Sequence, residues 1–120
     1  MANEINIQAV LTGQRFSPPM QGSGNLNINQ TNTHCIGNVQ NISTAGLALQ
    51  LGDCSTNLGY LFVKNLDATN YVQLTLDSGF AQIFAKLRPS EFCLIPVNQN
   101  TIYAKANTAA CDVMVCAAQT

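Results

Sequence analysis

From Gly59 to Gln119 the chain is a ladder of short apolar runs. GYLFVKNL, YVQLTL, FAQIFAKL, FCLIPV, TIYAKA and CDVMVCA are separated by DATN, DSG, RPSE, NQN and NTAA. Asn, Asp, Gly, Pro and Ser close turns through left-handed backbone, a fixed φ or side-chain bonds to nearby amides, so the pattern is that of successive antiparallel strands. FAQIFAKL alone also fits a helical period, with Phe80, Ile83, Phe84 and Leu87 at i, i+3, i+4 and i+7. Its tight boundaries at DSG and RPS favour a strand.

The amino-terminal half carries the same signal less cleanly. Residues 3–12 alternate, with Ile5, Ile7, Ala9 and Leu11 on one side and Asn6, Gln8 and Val10 on the other, as in a half-exposed strand. The segment from Gly13 to Gly24, GQRFSPPMQGSG, contains two adjacent prolines that cannot donate to a ladder and reads as a long loop or arm. Alternation resumes around Leu26 and Ile28, continues through CIGNVQNI with a bulge or close approach expected at Gly37, and returns in Leu47 to Leu51 before the turn GDCSTN. That makes about nine or ten strands, the number of a two-sheet sandwich or jelly roll. The expected fold is therefore all-β: one antiparallel β-sandwich or jelly-roll-like barrel over residues 1–120, with an N-terminal strand and a Pro/Gly-rich arm over 13–24.

Only 9% of the 120 residues are charged, against roughly 25% in a typical soluble domain. Amides and hydroxyls supply the polarity instead, in stretches such as NLNINQTNTH. A surface with net charge −1 repels its neighbours weakly, which suits close packing beside other subunits. Arg15, Lys64, Lys86, Arg88 and Lys105 are scattered, so no basic stripe exists to neutralise phosphates, and a nucleic-acid partner is not expected. A membrane partner is not expected either, because no apolar run approaches the roughly 20 residues of a spanning helix.

Five cysteines, Cys35, Cys54, Cys93, Cys111 and Cys116, form no CxxC pair, and the single histidine, His34, adjoins one thiol. No metal or cofactor is expected, and the thiols read as free and buried, as in a reducing cytoplasm. Residues five apart on a strand face opposite sides, which argues against a bridge between Cys111 and Cys116. The same alternation separates His34 from Cys35 and removes a thiol–imidazole nucleophile. Asp67 in LDATN and Asp77 in LDSG have a sufficient role in closing turns. No residue stands out as catalytic, and the chain is not expected to be an enzyme. Tyr60, Tyr71 and Tyr103 are candidates for stacking on a sugar, although each also suits sheet packing.

GYLFVKNLDATNYVQL, KLRPSEFCLIPV and TIYAKANTAACDVMV together resemble a group of small structural proteins encoded by tailed bacteriophages, over about half of the chain, from Gly59 to Val115. The resemblance implies a virion structural protein with a β-sandwich fold and neither activity nor cofactor. Within it, Asn65, Asp67 and Asn70 are suited to closing a hairpin, and Pro89 to setting a corner before Glu91; Ser90 stands where the family pattern has Gly. Low charge, abundant amides and the arm then point to a capsid decoration or cement protein, a homo-oligomeric dimer or trimer that bridges major capsid subunits in a virion assembled in the host cytoplasm. Phe16, Pro18, Pro19 and Met20 are the expected interface residues, with Phe16 and Met20 as apolar anchors. The alternatives are a head-to-tail, neck or tail component and, from another class, a carbohydrate-binding module for host recognition.

Overall fold

The computed structural model describes residues 5–13, 22–30 and 34–120, which fall into two compact units divided between residues 31 and 32. In the first, β1 (Ile5–Leu11) and β2 (Gly22–Ile28) form an antiparallel hairpin with Ile5 opposite Ile28 and Ile7 opposite Leu26. Alternation puts those residues, with Ala9 and Leu11, on one face. Asn6, Gln8, Asn25 and Asn27 share the other, where the Asn6 amide donates to the Asn27 and Asn25 side chains. The arm expected over residues 13–24 is shorter than the sequence suggests. Gly22, Ser23 and Gly24 belong to β2, opposite Leu11, Val10 and Ala9. A GSG triplet pairs through its backbone and leaves no side-chain alternation to betray the strand. The expected interface residues Phe16, Pro18, Pro19 and Met20 lie outside the described residues.

The second unit contains β3 (Cys35–Ile42), β4 (Leu47–Ala48), β5 (Leu58–Asn65), β6 (Val72–Thr75), β7 (Ile83–Leu87), β8 (Phe92–Pro96), β9 (Tyr103–Ala106) and β10 (Cys111–Gln119). They make two four-stranded sheets, in the orders β3-β10-β5-β8 and β4-β9-β6-β7. Every pairing is antiparallel, and four are nested, β3 with β10, β4 with β9, β5 with β8 and β6 with β7, while β10 with β5 and β6 with β9 join them side by side. A single ribbon folded at the β6–β7 turn and wrapped into two layers has this order, which is the jelly roll. Between the layers lie Leu61 and Val63 from β5, Val113 and Val115 from β10, Val72 and Leu74 from β6, and Ile42 and Ile102, all 0% exposed. Each such side chain stabilises the fold by about 1.5–3 kcal/mol on full burial.

Three local details differ from the sequence reading. The stretch from Leu47 to Leu51 is paired over only two residues, extended by a bond from Leu49 N to Ile102 O (2.9 Å); the Gln40 side chain then captures the Gln50 backbone at both ends, and a single 3-10 turn follows at Gly52–Ser55. Gly37 sits in regular register opposite Cys116, so no bulge occurs there. The bulge is at Gly59, skipped where Ala118 pairs with Tyr60 and Gln119 with Leu58, and a Cβ on Gly59 would collide with the Thr120 side chain. In FAQIFAKL the strand preference holds from Ile83 onward, whereas Phe80 belongs to the preceding turn with φ +56°. Its ring lies against Gly46, whose own φ is +85° and whose missing side chain makes room for it.

The chain crosses between the sheets twice beside Asn65, which is 0% exposed. Its side-chain amide donates to Asn70 O (2.8 Å) and Leu87 O (3.0 Å) and accepts from Asp67 N (2.9 Å). Its backbone N donates to Glu91 O (2.9 Å) and its carbonyl accepts from Ser90 N (3.1 Å). One side chain thus ties the exit of β5, the entry to β6 and the end of β7. In the neighbouring turn Glu91 N donates to Arg88 O (3.0 Å) with Ser90 at φ +68°, the left-handed residue that a type II turn demands after proline.

Asn65→Ala is expected to lower the unfolding free energy of the sandwich by about 2–3 kcal/mol, because it strands buried backbone groups. Asn65→Asp places a carboxylate against two carbonyl oxygens, raising its folded pKa; the resulting loss grows as pH rises and shrinks in acid. Urea unfolding at several pH values reads both. Ser90→Gly relieves a left-handed L-residue and is expected to gain about 0.5–1 kcal/mol by the same measurement.

Candidate docking surface

Strand alternation gives each sheet an inner and an outer face, and the two outer faces differ in chemistry. On the β4-β9-β6-β7 sheet, Gln73 lies between Lys86 and Lys105. The Lys86 ammonium sits 4.1 Å from the centre of the Tyr71 ring, and that of Lys105 sits 5.4 Å from the centre of Phe80. Phe80 in turn meets Tyr103 edge-on at 6.4 Å. Each of these cation–π contacts is worth about 0.5–1 kcal/mol at exposed sites, and Ile83 and Phe84 of β7 in the same sheet are 45% and 40% exposed.

The outer face of the β3-β10-β5-β8 sheet is apolar. Register sets its side chains in rows across the four strands: Val39, Met114, Lys64 and Phe92 in one; Gly37, Cys116, Phe62 and Leu94 in the next; Cys35, Ala118, Tyr60 and Pro96 in the third. Phe92 is 62% exposed, Val39 57% and Met114 37%. The rings of Phe62 and Phe92 stack at 5.7 Å, which fixes a flat aromatic step along β5 and β8. Gly37, Cys116 and Ala118 are small members of these rows. Charge enters at Lys64 and at Asp112, whose carboxylate is held by the Asn41 amide at 2.9 Å. An exposed apolar patch of this kind is a candidate for contact with another molecule. The sequence carried the signal: GYLFVKN, FCLIP and CDVMVCA are apolar at both alternating positions, yet each strand meets the core with one face only.

Other expected residues are dispersed. Tyr60 lies on the apolar face, whereas Tyr71 and Tyr103 belong to the opposite layer, so the three tyrosines form no common platform. His34 pairs its backbone with Gln119, which accepts at Oε1 and donates from N (3.3 and 3.0 Å). Among the described residues no three His, Cys, Asp or Glu side chains gather as a metal would require. The thiols divide. Cys54 and Cys111 are buried and Cys93 half-buried, and desolvation raises the pKa of all three, so they are poor nucleophiles. Cys35 and Cys116 are exposed, which corrects the expectation that the thiols are buried: Cys111 and Cys116 face opposite sides of β10, and only the inner side meets the second sheet. At one end of the sandwich Leu76, Phe84, Ile95, Val97 and Ile102 line an open cleft of ≈ 450 Å³ with no charged group in it.

The exposed carboxylates work within turns. Asp67 accepts from Thr69 N (2.7 Å) and Asn70 N (2.6 Å). Asp77, at the fold of the ribbon, accepts from Gln82 N (2.8 Å), Thr75 Oγ1 (2.8 Å) and Ala81 N (3.1 Å). These donors, with the backbone amides foremost, hold both carboxyls below the ordinary value of 3.8. No family model matches the chain, and neither a curated protein nor a solved structure matches it.

A carboxyl with a depressed folded pKa favours the fold above its unfolded pKa and loses that contribution as pH falls through the folded value. The urea midpoint of the native chain is therefore expected to fall from about pH 5 downwards, and Asp77→Asn to show a flatter acid limb with a lower plateau at neutral pH.

Proposed function

We propose that the chain is a non-enzymatic structural component of a tailed-phage virion, acting as a capsid decoration or cement protein that bridges major capsid subunits. The observation that carries this reading is the apolar outer face of the β3-β10-β5-β8 sheet, on a chain with few charges to keep neighbours apart. The resemblance of residues 59–115 to phage structural proteins supplies the particle. The jelly roll is compatible with this role by analogy, since capsid proteins use it alongside lectins and cupins. In this reading the β4-β9-β6-β7 sheet faces solvent, the β3-β10-β5-β8 sheet faces protein, and the segment with Phe16, Pro18, Pro19 and Met20 anchors on the shell. A neck or tail component would use the same surfaces at another place in the particle.

Mixing purified protein with particles that lack it, followed by electron microscopy, tests the proposal. Regular occupancy of shell lattice positions is the expected result; density confined to portal or tail moves the protein to the neck or tail, and no binding to any particle ends the virion reading. Deleting residues 14–21 leaves Thr12 and Gly13 as a two-residue connection between paired Leu11 and Gly22. This variant is expected to lose about 30-fold or more in particle affinity, the scale of an apolar anchor, and unchanged affinity would remove these residues from the interface.

A further inference from the structure

The apolar sheet face has a counterpart in the same chain. Ile5, Ile7, Ala9 and Leu11 of β1 and Leu26 and Ile28 of β2 share one face of the hairpin, with Leu11 67% and Leu26 49% exposed and Ile5, Ile7 and Ile28 half-buried. A two-stranded hairpin is at best marginally stable in water and needs a surface against its apolar side. Neither β1 nor β2 contains an ionisable side chain, so docking it buries no charge of its own. Its seven-residue strands run about 20 Å, the same length as the outward positions of β10 from Asp112 to Ala118, and two β faces pack with about 10 Å between backbones. Gly37, Cys116 and Ala118 are small beside Val39 and Phe62, a relief that suits the larger Ile and Leu side chains.

We propose that the chain self-associates by arm exchange: the apolar face of the β1–β2 hairpin of one copy packs on the Val39, Met114, Phe62 and Phe92 face of a second copy. The contact is heterologous, hairpin to sheet, and a dimer or trimer is the small ring in which each hairpin finds a partner sheet once the rotation between copies closes. The inference rests on the assembly reading above for its biological use. Its test concerns the purified chain without particles, so the two fail separately.

Native mass is measured by light scattering over a concentration series for the full chain, Leu26→Lys and Phe92→Lys, with circular dichroism to verify that each sandwich unfolds as the parent does. Both substituted positions are exposed, so the fold tolerates them. The parent is expected to form a closed oligomer, and each variant to weaken association by about tenfold or more. Leu26→Cys then uses the native Cys116 as a reporter: oxidation by copper–phenanthroline, which accepts the two electrons of the thiol pair, is expected to give a disulfide between chains that Cys116→Ser abolishes. A parent that stays monomeric, an oligomer indifferent to both lysine substitutions, or a bridge between the introduced thiol and Cys116 formed within one chain would each overturn the proposal.

Discussion

The sandwich depends on one buried amide. A jelly roll is two sheets made by a ribbon that changes layer repeatedly, and each change exposes backbone groups that no ladder can satisfy. Asn65 answers for two crossings at once, because an amide offers two donors and an acceptor in one plane. A carboxylate lacks the donors, a hydroxyl the reach, and an aliphatic side chain would leave Asn70 O, Leu87 O and Asp67 N unpartnered in a dry corner. The turn at Ser90 is held to the same residue through its main chain, so strand ends from both layers share a single fixed point.

Other amides repeat the device. Asn100 Oδ1 accepts from Asn57 N and Leu58 N, Asn107 Oδ1 from Tyr71 N, and Gln119, 3% exposed, donates to Asp53 O and Thr56 Oγ1. Gln40 acts towards Gln50 as a short extra strand would. The scarcity of charge is thus as much an internal matter as a surface one. A fold with short strands and many corners needs neutral groups that donate and accept, and ionised side chains do one or the other at a desolvation cost. Among the described ion pairs, Arg88 with Glu91 at 3.4 Å is exposed and contributes little.

Much of this was legible in the sequence. The strands from β5 to β10 were readable because apolar runs and turn residues change places sharply there, and Asp67 and Asp77 because capping leaves its mark within two to five residues of the carboxylate. What stayed hidden depended on partners far away in the chain. Gly22–Gly24 became strand through pairing alone, and β4 was cut short by a glutamine ten residues upstream. Phe80 looked like part of a strand or helix until the glycine beneath it was known. The outer apolar face was missed for another reason. Both sides of these strands are apolar in the sequence, which reads as doubly buried, and the strand order is what tells that only one side of β10 meets the second sheet.

Nested pairing also orders events in time. β10 is the last strand of the sandwich in the chain and lies between β3 and β5, so two of the three joints in its sheet wait for it. The β6–β7 turn is the most local contact and can close early, whereas β3 must stay unpaired while some seventy residues are synthesised after it. During that interval Val39 and the inward-facing Ile42 belong to a bare strand that is open to non-native pairing. The charge-poor amide stretch before it, NLNINQTNTH, offers little repulsion against such pairing. The topology that puts β10 at the centre of its sheet therefore places completion of the sandwich after, rather than during, the synthesis of its strands.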